Sequence, residues 1–196
     1  MRRDFSLITR WVWEGSRVLD LGCGDGTLLK TLAARKHCRI QGVEMDAGEH
    51  VAAIRKGVPV VQLDIDADLD MFGENTYDVV LLSRTLQAVK YPDKVLTAML
   101  KIAPIAIVSM PNFGYWKNRL RLLSGRAPIS KDLPFQWYES PNVHFGSLKD
   151  LETLFESLNL EIDRYVPLAP SGQASWWPKI WRNWAAGAAL YELHAR

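Results

Sequence analysis

Three glycines in the string VLDLGCGDG (Val18 to Gly26), at Gly22, Gly24 and Gly26, follow a short apolar run with the spacing G-x-G-x-G. Glycine lets a backbone turn sharply and lets a ligand approach with no Cβ in the way. The third glycine falls one residue early for the dinucleotide fingerprint G-x-G-x-x-G, whose spacing seats a pyrophosphate on a helix N-terminus. Asp25 adds negative charge at the same point. NAD and NADP are therefore not expected, whereas a small ligand at the carboxyl end of a first β-strand is. Asp20 lies two residues before Gly22. Glu44, in GVEMD, ends the next apolar run, and a carboxylate there can accept two hydrogen bonds from a ribose diol. Asp64, in VVQLDI, ends the third run. It suits an adenine amino group, with the Ile65 N–H on a ring nitrogen; the alternative is a solvated acidic loop, since Asp66, Asp68 and Asp70 follow. Ser83 ends a fourth run and would line the same crevice through its backbone. Cys23 and Met45, interleaved with these residues, complete the candidate cofactor-binding set.

The elements that must position this set follow from periodicity. Phe5, Leu7, Ile8, Trp11 and Val12 recur at helical spacing, with Gly15 as a stop. Strands are predicted over Arg17 to Leu21, Arg39 to Glu44, Val58 to Leu63, Tyr77 to Ser83 and Ile105 to Met110. Helices are predicted over Thr27 to Arg35, Ala47 to Lys56 and Asp93 to Ile102. YDVVLLS is largely apolar, as a central strand covered on both faces must be. Alternating strands and helices imply a doubly wound α/β fold with a mostly parallel sheet. Beyond residue 147, Leu148 to Leu158 reads as helix, and Leu160 to Val166 and Ala188 to His194 read as strands. The expected sheet has seven strands with an antiparallel C-terminal edge, in one domain over residues 1–196.

Composition sets the class. With 48% hydrophobic and 23% charged residues, the chain is that of an ordinary globular protein. A net charge of +2 is too small to argue for nucleic acid or an acidic membrane face. Two cysteines, Cys23 and Cys38, fit a reducing compartment, and no Cys/His spacing suggests a metal site. No N-terminal signal pattern and no run of about 18 apolar residues is present, so a cytoplasmic location is expected.

The set Asp20, Gly22, Gly24, Gly26, Glu44 and Asp64, with YDVVLLS, resembles the class I methyltransferases over most of the chain. That resemblance implies S-adenosylmethionine or S-adenosylhomocysteine as cofactor, its methionine part on the glycine loop, its ribose on Glu44 and its adenine beside Asp64. A closer resemblance covers nearly the full length. GSRVLDLGCGDG, SRTLQAV, IVSMPNFGYWKNRLRLLSGRAP and LPFQWYESPNVHF resemble the MetW family of bacterial methionine-biosynthesis proteins, with Arg84 standing where Gln is expected. The resemblance implies an accessory partner of homoserine O-acyltransferase; the alternative is a methyltransferase acting on a small metabolite. Many small-molecule methyltransferases carry a His-x-x-Glu-His type string after the fourth strand. Here that stretch is Thr85-Leu86-Gln87-Ala88, with neither acid nor histidine.

Residues 111–147 break the strand–helix alternation and are rich in aromatic, basic and turn residues, including Trp116, Arg121, Arg126, Trp137 and Tyr138. A connection this long with no element of its own is expected to be functional, as a lid or a docking insertion. Within it, His144 in Val143-His144-Phe145 resembles the place where related methyltransferases set a histidine near the reacting centre. It is the candidate general base, and a hydrogen-bonded structural histidine is the alternative. Asn112 is expected to satisfy backbone groups at the strand end. Trp177, Trp181 and Trp184 fall at i, i+4 and i+7 on a short helix starting near Pro178, as core packing or as an exposed partner patch.

Overall fold

The run of apolar residues at the centre of the chain becomes the centre of the sheet. In the computed structural model, which describes residues 3–169 and 181–196, β4 (Val79–Ser83) lies between β1 (Arg17–Leu21) and β5 (Ile105–Pro111), parallel to both. Its first four residues are buried. Side chains alternate across the sheet: Val80 and Leu82 enter one core, while Val79 and Leu81 enter the other. An unbroken apolar run is what two-sided burial requires.

Helices cover both faces. α1 (Arg3–Trp11), α2 (Thr27–Lys36) and α3 (Ala47–Arg55) supply Ile8, Leu28, Leu32 and Ala53 to one core. α4 (Pro92–Ile102) and α6 (Leu148–Ser157) supply Leu96, Met99, Leu151 and Phe155 to the other. Ser147 caps α6: its hydroxyl accepts the Asp150 N–H, while the Ser147 N–H donates to the Asp150 carboxylate.

The sheet order is β3-β2-β1-β4-β5-β7-β6, with β2 at Arg39–Val43, β3 at Val60–Val61, β6 at Leu160–Leu168 and β7 at Ala188–Ala195. β1 to β5 are parallel, and β7 runs antiparallel between β5 and β6. This is the seven-stranded, mostly parallel sheet with an antiparallel edge that the sequence implies, with β6 as its outermost member. The order in which strands are added reverses between β1 and β4, which opens a crevice at their carboxyl ends.

Two expectations are corrected. The third strand is two residues long rather than the six of Val58 to Leu63. It is an edge strand, Pro59 has no N–H to pair, and at Asp64 the chain turns, its carbonyl accepting the Ala67 and Asp68 N–H groups. The 111–147 segment is also not without elements, because Trp116–Leu123 forms a helix, α5. Its Lys, Arg and Leu residues are strong helix formers. Its apolar side chains are not core, however: Trp116, Leu120 and Leu123 fall at i, i+4 and i+7, yet Leu120, Leu122 and Leu123 are exposed and Asn118 is its buried residue. α5 ends at Gly125, at φ +74, where the Gly125 and Arg126 N–H groups return to the Leu122 and Arg121 carbonyls. Asn112 behaves as expected. Fully buried, its Nδ2 donates to the Asn183 and Ala186 carbonyls and its Oδ1 accepts the Gly114 N–H, tying β5 to both α6 and α7 (Arg182–Ala185).

Candidate functional site

Two cavities of about 570 Å³ each meet at Gly22, at the carboxyl ends of β1 to β4. One is lined by Phe5, Asp20, Cys23, Gly24, Glu49 and Ser83. The other is lined by Glu44, Met45, Asp64, Ile65, Thr85 and Pro141, among others. Nine of the eleven candidate site residues therefore come together, Gly22 in both halves. Gly26 and His144 line neither half.

The three glycines do different things. Gly22 has φ +74, and a Cβ there would come within 2.6 Å of the Thr85 hydroxyl oxygen, so the β1 loop and the β4 turn pack too closely for any side chain. Gly26 is buried against Val58 and Ala53, where it starts α2, and serves packing rather than the crevice. Around Gly24 the space is open. The nearest atom to a Cβ there would be a Glu49 carboxylate oxygen at 3.9 Å, so this glycine offers bare backbone to the cavity.

Glu44 holds the loop. Its Oε2 accepts the Gly24 N–H at 2.7 Å and its Oε1 accepts the Asp46 N–H at 2.9 Å. Each carboxylate oxygen has two acceptor sites, so one remains on each. Asp46 in turn caps α3 by accepting the Glu49 N–H. Asp64 is organised by its own acidic loop: its Oδ1 accepts the Asp66 N–H, and its N–H donates to Asp68. Cys23 is a packed, neutral thiol. Burial first, then the Asp20 and Glu44 carboxylates, push its pKa up to about 12. A Cβ on the facing Gly42 would lie 2.6 Å from its sulfur.

At the start of α2, the Asp25 carboxylate accepts the Thr27 N–H and hydroxyl and pairs with Lys56. Partial burial works against its ionisation, but these donors outweigh it and hold the carboxyl below its ordinary range. The N-terminal N–H of α2 is thus already engaged by a protein anion.

The turn after β4 fastens the 111–147 insertion over this end of the sheet. Arg84 has a left-handed φ of +60, fixed by its N–H donating to both the carbonyl and the hydroxyl of Ser109. Its guanidinium donates to Asp132 Oδ1 at 2.9 Å, and its Nε lies 3.4 Å from Asp4 Oδ2. The two carboxylates are 7% and 2% exposed, and the Arg84 guanidinium lies against both. Burial pushes the Asp132 carboxyl up against the opposing pull of Arg84. Three residues further on, the Gln87 carbonyl accepts the Val143 and His144 N–H groups. The His144 ring faces the Lys90 carbonyl, with Nε2 3.4 Å away.

Sequence reasoning missed Phe5, Glu49, Thr85 and Pro141 as crevice residues, and Arg84 as the hub of the insertion. Thr85 is marked only by its close approach to Gly22, and Asp4 and Asp132 reach Arg84 from 80 and 48 residues away. Neither relation has a local pattern. Trp181 and Trp184 are 55% and 43% exposed, which corrects the core-packing reading for these two; Trp176, Trp177 and Pro178 lie outside the described residues.

Comparison with known proteins agrees with this fold. Crystal structures similar to this chain include a SAM-dependent methyltransferase of Thermotoga maritima, with a TM-score of 0.69 and 16% identity over 99% of this chain and 88% of that one. Magnesium protoporphyrin IX methyltransferase of Synechocystis with bound SAH gives 0.69 and 16% over 99% and 83%. At this identity the likeness establishes the fold alone. In sequence, the chain is 35% identical over 173 residues to the bifunctional methionine biosynthesis protein MetXA/MetW of Rhodopirellula baltica. The match takes in 83% of this chain but spans only 28% of that relative. The family described as "Methionine biosynthesis protein MetW" matches residues 2–193. The chain belongs to the MetW family of methionine biosynthesis proteins.

Proposed function

We propose that this chain binds S-adenosylmethionine or S-adenosylhomocysteine in the crevice and serves methionine biosynthesis as an accessory partner of a homoserine O-acyltransferase. The observation that carries the cofactor half is the Glu44 carboxylate, which holds Gly24 and Asp46 and keeps one acceptor site on each oxygen. A ribose diol needs two such acceptors. The bare backbone at Gly24 suits the methionine part, beside Asp20 and Ser83. Met45, Asp64 and the Ile65 N–H suit the adenine. S-Adenosylmethionine, when bound, would supply a methyl group already activated on a sulfonium; this chain would bind, orient and shield it. His144, held on the Lys90 carbonyl, takes no part.

The partner half is supported by the Rhodopirellula baltica relative, in which MetXA and MetW parts share one polypeptide. Fusion raises the effective concentration of one part at the other without any new contact.

Titration calorimetry with S-adenosylmethionine and S-adenosylhomocysteine tests the first half. Saturable binding is expected, and no heat with either would overturn it. For the second half, the acyltransferase of the same organism is assayed and co-eluted with and without this chain. No complex, together with methyl transfer to a metabolite in a screen, would replace the accessory role with that of an enzyme.

A further inference from the structure

Eight of the seventeen exposed large apolar side chains among the described residues fall within residues 111–147, a stretch of 37. Leu123 is 84% exposed, Trp137 77% and Tyr138 66%. Exposed apolar groups at this density mark interaction sites rather than ordinary surface. Trp137 also lines a cavity of about 360 Å³ built wholly within the insertion, with Leu122, Phe135 and Phe145 among its walls and Ser140 and Asn142 as its polar side chains. The insertion gives the ligand crevice very little. Among the described residues, Pro141 alone reaches it. Ser140 and Asn142, on either side of Pro141, belong to the apolar cavity instead.

The charge of this segment is distinctive. It holds five basic residues and two acidic ones, Asp132 and Glu139, for a net +3 against +2 for the whole chain. Asp132 is already bound to Arg84, so it does little to offset the basic residues outside. Arg119 also reaches a C-terminal aromatic residue: its guanidinium lies 5.5 Å from the Trp184 ring centroid. Aromatic and Arg side chains are the usual anchors of a protein interface.

We propose that this face docks one kind of partner: a folded protein whose acidic surface presents a bulky apolar side chain to the Trp137 cavity. Resting on the reading above, that partner is the acyltransferase. The net positive charge selects an acidic rim, and the cavity takes the apolar side chain at its centre. The shared polypeptide of the Rhodopirellula baltica relative is the arrangement such a pair would tolerate. Trp116 is half-buried and the Arg121 Nε donates to the Ala127 carbonyl, so the anchors are the freely exposed Trp137 and Arg126.

The test is the affinity of the purified acyltransferase of the same organism for this chain and for Trp137→Ala, Phe135→Ala and Arg126→Glu. Trp137→Ala is expected to weaken the complex about 30-fold. Raising salt from about 0.05 to about 0.3 M should weaken it further, and S-adenosylmethionine affinity should not change. If the wild-type chain forms no complex, the partner reading itself fails. A wild-type complex indifferent to Trp137→Ala, Phe135→Ala and Arg126→Glu overturns this surface while leaving the partner reading intact. A complex indifferent to salt overturns the acidic rim. Self-association by sedimentation that is abolished by Trp137→Ala would assign the face to a second copy of this chain instead.

Discussion

The crevice and the insertion are held in shape by different physics. Around the crevice, packing specifies the backbone: Gly22 stands against Thr85, Gly26 against Val58 and Ala53, and the strands beneath are buried on both faces. The insertion has few buried apolar groups of its own, with Tyr115 and Leu133 the large ones. Polar clasps hold it instead, through Asn112, through Arg84 with Asp4 and Asp132, and through the Gln87 carbonyl. A region fixed by polar clasps is free to turn its apolar side chains outward. The division suggests one region built for a small ligand and another built for a protein.

The same backbone angle occurs in both regions, which gives a sharp comparison. Gly22 and Gly125 each have φ +74, but a Cβ on Gly125 would meet nothing within 4 Å. Gly22→Ala adds overpacking to left-handed strain and should cost about 3–4 kcal/mol, while Gly125→Ala should cost about 1 kcal/mol. Denaturant unfolding of both variants checks this, and equal losses would break the contrast.

Arg84→Met should cost about 3 kcal/mol, the lower end for breaking a buried ion pair, because the guanidinium itself is 29% exposed. The deficit should narrow at low pH. A carboxyl whose folded-state pKa is raised, as burial raises that of Asp132, favours the folded state while protonated and loses that contribution as pH rises through the raised value. Removing Arg84 takes away the cation that opposes this rise. Thermal melts of the variant and the parent between acid and neutral pH read it directly; a deficit that does not depend on pH would contradict the clasp.

A smaller stability effect is expected at Gly24. Gly24→Ala should cost about 1 kcal/mol in stability, for the left-handed φ of +55, yet impair S-adenosylmethionine binding, because its Cβ projects into open cavity. Wild-type affinity in this variant would remove Gly24 from the proposed site. For NAD and NADP no heat of binding is expected, since Asp25 already engages the N-terminal N–H of α2. Micromolar affinity for either would overturn that.

What could be read in the sequence follows the same division. VLDLGCGDG, GVEM and YDVVLLS carry local patterns whose burial or turn demands survive in the structure, so the crevice and six of the seven strands were legible to within a few residues. The strand predicted from Tyr77 starts at Val79, because Asp78 is drawn into its pairing with Arg17. α5 was missed although Trp116, Leu120 and Leu123 fall at helical spacing, because its short run sits in a segment dense with Gly, Pro and other turn residues, and its leucines meet no core. The Asp4–Arg84–Asp132 clasp joins residues far apart in the chain, and periodicity reports nothing about such contacts. His144 lies outside the crevice and faces the Lys90 carbonyl, a contact that no local pattern in the sequence reports.

In the proposed site the Glu44 carboxylate receives the ribose of S-adenosylmethionine while holding the glycine loop. Calorimetry on wild type, Glu44→Ala and Glu44→Gln tests it most directly. Alanine removes the acceptors and should cost about 1.5–3 kcal/mol of binding free energy, the range for hydrogen bonds to a charged group. Glutamine should also lose affinity, because its amide N–H₂ would face either the Gly24 or the Asp46 N–H, where Glu44 now accepts at both oxygens. Unchanged affinity in both variants, with each folded by thermal melt, would contradict the account.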